Sequence, residues 1–299
     1  KILAAYKSPK LPDMPPFTGG LVGYFSYDYI HYAEPTLDFS KLKNDDFCDV
    51  DLMLFDRVIV FDHYRQKLIL IAGFRTDSLE TSYRQAEEGL NEIGSLLQSG
   101  AKAVFRPLKL KEELAPAFSK EEYGAMVEKA RHYIHEGDIF QVVLSNPMTA
   151  AAEGSLFDTY RVLRTLNPSP YMFYFTSDDV EIAGASPETL TRLTDGTLYT
   201  FPLAGTRPRG KDKEEDEALE RELLADEKEL SEHNMLVDLG RNDLGRVSRL
   251  GSVQVETYAS VVRFSHVMHI GSTVRGEIHQ DRDAVDAIDS ILPAGTLSG

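Results

Sequence analysis

The stretch YMFYFTSDDVEIAGASPETLTRLTDGTLYTF, residues 171–201, decides the fold class. It contains short apolar runs separated by turn-forming residues, and its TDG turn at 194–196 is typical of a hairpin. Because the runs follow one another without an intervening helix, we expect them to pair antiparallel. The fold class is therefore predicted to be α+β with mainly antiparallel sheets. The strands are predicted at 171–176, 180–185, 189–193 and 197–201.

Helices and further strands are predicted on both sides of this meander. Apolar residues at helical spacing, capping patterns and glycine stops indicate the helices. They are predicted over 76–100, from a capping box of Ser119 and Glu122 to Gly137, and from about Lys213 to Leu239 with Gly240 as the stop. Further strands are predicted within 17–35, as two strands within 51–74 with a turn near 63–66, and at 139–145, 253–262 and 267–272.

Length, charge and cysteine content narrow the class of protein. The chain has 299 residues, of which 42% are hydrophobic, enough for a large core. Its 48 acidic residues outnumber 32 basic ones, and the net charge of −16 disfavours nucleic acid as a partner. No run of about 18 apolar residues is present, so no membrane span is expected. The single cysteine, Cys48, excludes an internal disulfide and favours a reducing, cytoplasmic location.

The acidic stretch ADEKELSEHNMLVDLGRNDLGR, residues 225–246, is a candidate metal site on a helix. Helical spacing places Glu229 and Glu232 on one face, at the edge of the apolar stripe. A desolvated pair of carboxylates is costly unless a proton or a cation relieves the repulsion. Oxygen ligands alone favour Mg²⁺ over zinc. The alternative is a solvated helix face with ion pairs, such as Lys228 with Glu232.

Three other stretches carry candidate polar groups. In GDIFQVVLSNP both strand faces are mostly apolar, so Gln141 is expected to be covered, and it either binds a ligand or bonds its neighbours. In AGASPETL, Glu188 stands at a strand end, where it either enters a cleft or belongs to a surface turn. In FPLAGTRPRG, Gly205 allows close backbone approach and Thr206 adds a hydroxyl, although an ordinary turn has the same composition.

The stretch RFSHVMHIGS contains two histidines, His266 and His269, three residues apart. On a strand such a pair faces opposite ways, so local geometry does not bring both into one cluster. A single strand histidine is most often structural.

Together these stretches resemble the chorismate-utilising enzymes, and within them most closely the component I branch of the anthranilate synthases. The matching pieces occur in the family's order and cover nearly the whole chain from Phe17 onwards. They are GGLVGYFSYDY, GDIFQVVLS, NPSPYMF, ASPE, LAGTRPRG, DEKELSEHNMLVDLGRNDLGR, SHVMHIGS and PAGTLSG.

The resemblance implies a two-lobed sandwich of mainly antiparallel sheets with helices packed outside. Residues 1–118 would form an N-terminal lobe for subunit contact and regulation, and residues 119–299 the chorismate-binding catalytic region. Mg²⁺ would hold the ring carboxylate of chorismate. The resemblance assigns Glu232 and Glu229 as metal ligands, Glu188 as general acid, Thr206 and His269 as catalytic and substrate-contacting residues, and Gly205, Ala204 and Gln141 as further substrate-site positions.

Two positions indicate the branch of the family. Members that use water carry a lysine base where this chain has Gln141, and a glutamine cannot activate water. The aminodeoxychorismate synthases typically have a nucleophilic lysine where this chain has Ala204, which offers no nucleophile. Both positions point to ammonia as the nucleophile and to anthranilate as the product. An aminodeoxychorismate synthase component I, or a non-catalytic module that binds tryptophan or a partner subunit, is the alternative.

The resemblance also implies partners. Ammonia would come from a separate glutamine amidotransferase subunit, since Cys48 lies in NDDFCDVD without the glycines of a nucleophile elbow. The motif NPSPYMF resembles part of a tryptophan feedback pocket, although a proline-stiffened turn has the same composition. The residues assigned to that pocket are Asn167, Pro168, Ser169, Pro170, Tyr171 and Met172.

The family pattern extends beyond both ends of the sequence. After PAGTLSG it continues with a helix bearing a further metal-binding glutamate, then a tyrosine and an arginine that hold the substrate. A short Leu-Leu-Glu-Ser stretch of the tryptophan pocket precedes the matched region. We therefore expect residues 1–299 alone to turn over poorly, because part of the metal shell and of the carboxylate clamp would be missing.

Overall fold

The computed structural model describes residues 5–38 and 47–294. Its contacts divide the chain into two units, Lys1–Tyr29 with Leu42–Val104, and Ile30–Lys41 with Phe105–Gly299. The motif PAGTLSG extends outside the described residues after Ala294. In the parts of the chain that are described, no helix is both long and apolar enough to cross a membrane.

Helices and strands alternate irregularly along the described chain. The helices are α1 (Ile30–Ala33), α2 (Leu79–Ser99), α3 (Lys120–Glu136), α4 (Phe157–Leu166), α5 (Lys213–Ala225), α6 (Glu227–Gly245) and α7 (Ala284–Ile291), and a 3₁₀ turn spans Tyr27–Tyr29. The strands are β1 (Gly20–Phe25), β2 (Val50–Phe55), β3 (Arg57–Asp62), β4 (Lys67–Ala72), β5 (Lys109–Leu110), β6 (Ala115–Pro116), β7 (Met148–Thr149), β8 (Ala152–Glu153), β9 (Tyr171–Thr176), β10 (Glu181–Ser186), β11 (Arg192–Thr194), β12 (Thr197–Thr200), β13 (Leu203–Pro208), β14 (Gln254–Arg263) and β15 (Val267–Glu277).

The first unit contains two antiparallel strand pairs and α2. β1 pairs with β2, and a Cβ on Gly23 of β1 would lie 1.8 Å from the Asp51 carbonyl oxygen, so the glycine allows the two backbones to approach closely. β3 pairs with β4 around the turn predicted near residues 63–66. The prediction of two strands within 51–74 is wrong in number, because a break at Asp56 separates β2 from β3.

The second unit is organised around a five-stranded sheet. Its order is β11-β12-β15-β13, and β14 also pairs with β15. The meander of residues 171–201 supplies β9 to β12, and the predicted turn joins β11 to β12 with Asp195 at φ 51° and Gly196 at φ 78°. Every ladder between these strands is antiparallel, which confirms the α+β class with antiparallel sheets.

The core lies between β15 and the helices that cover it. Side chains alternate along β15, and Met268, Ile270 and Val274 on one face are 0% exposed. Helix α5 adds Leu223 and α6 adds Leu244, both also 0% exposed. Full burial of such side chains stabilises a fold by about 1.5–3 kcal/mol each. This packing fixes α6 against the sheet.

The long helix predicted from Lys213 to Leu239 is two helices, and Gly240 is not its stop. Asp226 separates α5 from α6, because its side chain caps α6 by accepting hydrogen bonds from the backbone N–H groups of Lys228 and Glu229. Gly240 lies inside α6, where a Cβ would come within 2.9 Å of Thr200 Cγ2. The glycine allows the helix to approach β12 closely.

The strand predicted at residues 139–145 is wrong. Helix α3 has the predicted capping box of Ser119 and Glu122 and ends before Gly137, but the following residues form no strand in the described chain. Phe140 is 88% exposed, and Gln141 is exposed rather than covered. A strand needs a neighbouring backbone to satisfy its N–H and C=O groups, and β-branched composition alone does not supply one.

Candidate active site

A β-bulge in β13 is the centre of the candidate site. Ala204 pairs with Ile270 and Arg207 pairs with Met268, so two residues, Gly205 and Thr206, lie opposite His269 alone. Gly205 adopts φ 66°, the left-handed conformation that glycine tolerates and that a bulge of this kind needs. The bulge therefore turns a carbonyl and a hydroxyl of β13 towards His269.

His269 is held by this bulge through one ring nitrogen. Its Nδ1 lies 2.7 Å from the Gly205 carbonyl oxygen and 3.1 Å from Thr206 Oγ1. Since a carbonyl only accepts, Nδ1 carries the hydrogen and the neutral ring keeps its lone pair on Nε2. Nε2 has no hydrogen-bond partner among residues 5–38 and 47–294, which leaves it available to a bound molecule.

Glu188 stands in the turn that follows β10, and its charge interacts with His269. Its backbone N–H donates to Ser186 Oγ, and the Ser186 hydroxyl lies within hydrogen-bonding distance of the Glu188 carbonyl oxygen. The residue as a whole is exposed, yet protein atoms surround its carboxyl group sufficiently to raise the pKa of Glu188 by desolvation. A positive charge on His269 opposes this effect on the pKa. Glu188 therefore keeps its proton to a higher pH than an ordinary glutamate.

The acidic face of α6 lies against the other side of the bulge. A Cβ built on Gly205 would be 3.1 Å from Glu229 Oε2 and 2.9 Å from Leu223 Cδ1. The Glu229 side chain is 20% exposed, whereas Glu232, nearly one turn further on, is exposed. At Gly205, the carbonyl group that bonds His269 therefore lies next to α6, the helix that bears the carboxylates.

Arg207 ties both helices to the bulge. It donates to Glu222 of α5 at 2.8 Å and to the capping residue Asp226 at 2.9 Å, and its Nη1 is 3.9 Å from Glu229 Oε1. The backbone N–H of Glu229, which donates to Asp226, and then the Arg207 guanidinium hold the pKa of Asp226 below its usual range.

The donor set at Glu229 and Glu232 suits a hard cation. It consists of two carboxylates, and within the described chain no group of three or more His, Cys, Asp or Glu side chains has the geometry to hold a metal. A pair of carboxylates is the protein contribution that Mg²⁺ commonly receives, because Mg²⁺ keeps several waters and binds substrate oxygens. Carboxylate oxygens are thus the type of ligand that Mg²⁺ accepts, while zinc would need more and softer ligands.

Two of the predicted site positions lie apart from this cluster. The Gln141 side chain is exposed and forms no hydrogen bond with any described residue. Ala204 is 7% exposed and pairs with Ile270, so its methyl group lies on the helix-covered face of the sheet. The structure gives Gln141 no contact with the bulge.

The motif NPSPYMF follows α4 and enters β9. The backbone N–H of Ser169 contacts the Met172 sulfur at 3.3 Å, and Tyr171 and Thr189 share a hydrogen bond between their hydroxyls. An apolar cavity of about 260 Å³ opens beside this segment. Its walls include Pro170, Tyr171, Pro187, Phe201, Leu203, Val262 and Phe264.

Sequence reasoning missed one buried polar residue of α6, His233, which is 0% exposed and bonds Ser272 of β15. A signal was present, because positions 233, 236, 237, 240 and 244 repeat at the spacing of a buried helix face. A histidine at the head of that series has to find a polar partner inside the protein.

Comparison with known proteins places this chain in a family. A family model described as "chorismate binding enzyme" matches residues 2–299. Anthranilate synthase component 1 of Acetivibrio thermocellus is 45% identical over 308 residues, covering 100% of this chain and 62% of the relative. The protein of the same name from Acinetobacter calcoaceticus is 47% identical over 302 residues, covering 97% of this chain and 59% of the relative.

A solved structure gives the same result for the fold. The crystal structure of anthranilate synthase component I from Streptococcus pneumoniae TIGR4 matches with a TM-score of 0.84 at 38% identity. The match covers 99% of this chain and 66% of that chain. The chain spans about three-fifths of the length of the curated relatives it matches. The resemblance drawn from the motifs is confirmed.

Proposed function

Because the chain belongs to the family of chorismate binding enzymes, we propose that it is the chorismate-aminating part of an anthranilate synthase component I, a lyase. The observation that carries the proposal is the bulge at Gly205. There an imidazole, a hydroxyl, a carboxyl group of raised pKa and the carboxylate-bearing helix α6 converge. Perturbed titratable groups gathered in this way are typical of acid–base catalysis.

Substrate binding would use both sides of the bulge. Mg²⁺ held by Glu229 and Glu232 would neutralise and orient the ring carboxylate of chorismate. Thr206 would hold a ring oxygen, and His269, fixed by the Gly205 carbonyl, would offer its Nε2 to the same ring. Orienting the ring so that its reacting carbons face ammonia and an acid is worth several orders of magnitude in rate.

The reaction balances with these groups. Ammonia forms a bond to the ring carbon next to the carboxylate, and the ring hydroxyl leaves as water with the proton of Glu188. Loss of a ring proton, which His269 Nε2 would accept, then expels the enolpyruvyl group. That group takes up a proton to give pyruvate, and the ring becomes anthranilate. Glu188 suits its role because burial raises its pKa, so a fraction of the carboxyl group stays protonated closer to neutral pH.

Two sequence positions favour ammonia and this branch of the family. Gln141, which the family resemblance assigns to the substrate site although it is exposed and away from the bulge in this structure, has no basic group that would activate water in place of ammonia. Ala204 has no nucleophile that would attack the ring, in contrast to the lysine typical of aminodeoxychorismate synthases. The proposed product is therefore anthranilate rather than isochorismate or aminodeoxychorismate.

The proposed partners follow from the same chemistry. Ammonia would be delivered by a glutamine amidotransferase subunit, component II, and residues 1–118 would include its contact surface. Tryptophan would act as feedback inhibitor at the segment Asn167–Met172. The apolar cavity beside Pro170 and Tyr171 is wide enough for aromatic side-chain atoms, which supports a regulatory role for this segment.

The test is anthranilate formation, followed by its fluorescence, from chorismate, Mg²⁺ and ammonium salt at mildly alkaline pH. Anthranilate should appear with the wild-type protein, only slowly where residues 1–299 are assayed alone, and should disappear on chelation or in Glu232→Gln. The matched control is Glu128→Gln, which changes an exposed glutamate of α3 and should leave the rate unchanged. Consumption of chorismate to another product would contradict the branch assignment, and untouched chorismate would contradict the proposal as a whole.

A further inference from the structure

His233 connects α6 to the sheet by a buried hydrogen-bond chain. Its Nε2 lies 2.6 Å from Ser272 Oγ on β15, and both side chains are at most 5% exposed. Ser272 Oγ in turn accepts a hydrogen bond of 2.9 Å from the backbone N–H of Ala259 on β14. The chain of contacts therefore runs from the helix through one strand to the next.

The last member of this chain has an unusual backbone. Ala259 adopts φ 48°, a left-handed conformation that alanine disfavours, and the pairing of β14 with β15 shifts register between Thr257 and Ser260. This irregularity turns the Ala259 N–H towards Ser272. Backbone strain of this kind persists where the surrounding structure requires one geometry.

The two nitrogens of the His233 ring are in different situations. Ser272 Oγ accepts a hydrogen bond from the Ala259 N–H and shares a second one with His233 Nε2, in which the histidine tautomer decides which of the two atoms donates. Nδ1 is buried and has no hydrogen-bond partner among the residues described. An unpaired buried polar group costs stability, and an apolar side chain at this position would avoid that cost. Stability alone therefore does not account for a histidine here.

The position of His233 suggests what the histidine does. It directly follows Glu232 and lies one helical turn after Glu229, while Ser272 lies three residues after His269 on the same strand. Leu236, Val237 and Leu244 on this face of α6 make apolar, non-directional contacts, while at the edges of the face Asn234 accepts a hydrogen bond from Tyr258 of β14 and Glu229 lies 3.9 Å from Arg207. The His233–Ser272 bond is directional, so it fixes how far α6 is rotated about its axis.

We infer that His233, acting through Ser272, is a positioning residue that sets the rotation of α6 so that Glu229 and Glu232 face the Gly205 bulge in register with His269. This inference rests on the proposed role of the two glutamates as metal ligands. Groups that orient metal ligands from behind commonly change metal affinity by 10- to 100-fold when they are replaced.

The experiment measures Mn²⁺ binding to the purified protein by titration calorimetry and by the loss of the free-ion paramagnetic resonance signal. His233→Leu and Ser272→Ala should each weaken Mn²⁺ binding about tenfold or more. The melting temperature of His233→Leu should stay close to that of the wild type, whereas that of Ser272→Ala should fall because the Ala259 N–H also loses its acceptor. The double variant should bind Mn²⁺ no more weakly than Ser272→Ala alone, because both single changes break the bond between His233 and Ser272. His233→Gln, which keeps a polar side chain able to bond Ser272, should recover part of the affinity.

Two reference variants separate the possible failures. Met235→Ala, a half-exposed residue of the same helix, should bind Mn²⁺ as the wild type does. If Glu232→Gln abolishes binding while folded His233→Leu binds normally, the positioning role is wrong and the metal site stands. If Glu232→Gln binds Mn²⁺ normally, the metal site itself is wrong and the positioning role falls with it. A loss of affinity in His233→Leu that occurs only together with unfolding would equally overturn the inference.

Discussion

The bulge of β13 and the segment at residues 139–145 both contain candidate site residues in the sequence. In the structure, neighbouring elements hold only the bulge in a fixed geometry. Gly205 and Thr206 acquire partners from β15 and α6, and these partners give them a fixed geometry. Phe140 and Gln141 have strand-like composition but no pairing neighbour in the described chain, and they are exposed. Composition therefore indicates what a segment is able to form, while the neighbouring backbone determines whether it does.

The largest expected effect is a fall in kcat when Glu188, beside the β13 bulge, is replaced. Glu188→Gln removes the proton donor while keeping the size of the side chain, so kcat should fall by about 10²- to 10⁴-fold. The KM for chorismate should change little, because the metal and Thr206 still bind the ring. Steady-state kinetics with ammonium as nucleophile check this, with Glu128→Gln as control. A kcat within a factor of about three of the wild type would exclude Glu188 as the acid.

The same residue predicts a pH dependence. Burial raises the pKa of Glu188, so the acid form needed for catalysis is lost as pH rises through that pKa in the folded protein. The residual activity of Glu188→Gln should lack this alkaline decline. For stability the sign is the same: tighter proton binding by the folded state contributes at low pH and is lost as pH rises through the folded pKa.

A smaller effect is expected from Gly205→Ala. The substitution places a side chain at φ 66° and brings a Cβ to 2.9 Å from Leu223 Cδ1 and 3.1 Å from Glu229 Oε2. We expect a loss of about 1–3 kcal/mol in the free energy of unfolding. Mn²⁺ affinity should fall as well, because Glu229 is displaced. Denaturant unfolding and metal titration check both effects.

Gly245→Ala is the matched control, since nothing lies within 4 Å of its Cβ position at the end of α6. Alanine there should be neutral or stabilising by up to about 1 kcal/mol. Equal effects of the two substitutions would mean that the bulge does not depend on glycine.

The smallest effect, on the free energy of unfolding, is expected in the exposed segment at residues 139–145. Phe140 is 88% exposed, so Phe140→Ala should change the free energy of unfolding by no more than about 0.5 kcal/mol. Leu223→Ala, at a position 0% exposed, is the reference and should cost about 2–5 kcal/mol. A cost above about 2 kcal/mol for Phe140→Ala would show that the segment is covered in the protein, and the contrast drawn here would fail.

A structural feature can be predicted from the sequence when the residues that cause it are close to it along the chain. The capping box of Ser119 and Glu122 and the turn at 194–196 form from neighbouring residues, and both were predicted correctly. The break at Asp226 also has a local cause, but an uninterrupted acidic pattern concealed it. Gly240 was misread because its reason is distant, namely the methyl group of Thr200 on another element.

The candidate site divides in the same way. The sequence indicated Glu229 and Glu232 through helical spacing, and Glu188, Thr206 and His269 through the resemblance to the family. It did not give the bulge that joins His269 to Gly205, because that pairing is set by sheet register. The role of His233 was not visible either, since its partner Ser272 is on a different strand.

The hydrogen bond between His269 and Gly205 joins residues 64 positions apart and encloses both α5 and α6. The two helices need mainly local contacts, whereas pairing β13 with β15 requires closure of that long loop. During refolding we therefore expect helical signal to return before catalytic competence. During synthesis α6 leaves the ribosome before β15 has been made, so for a time the helix lacks the strand that it packs against. Regain of activity would report the last stage of folding.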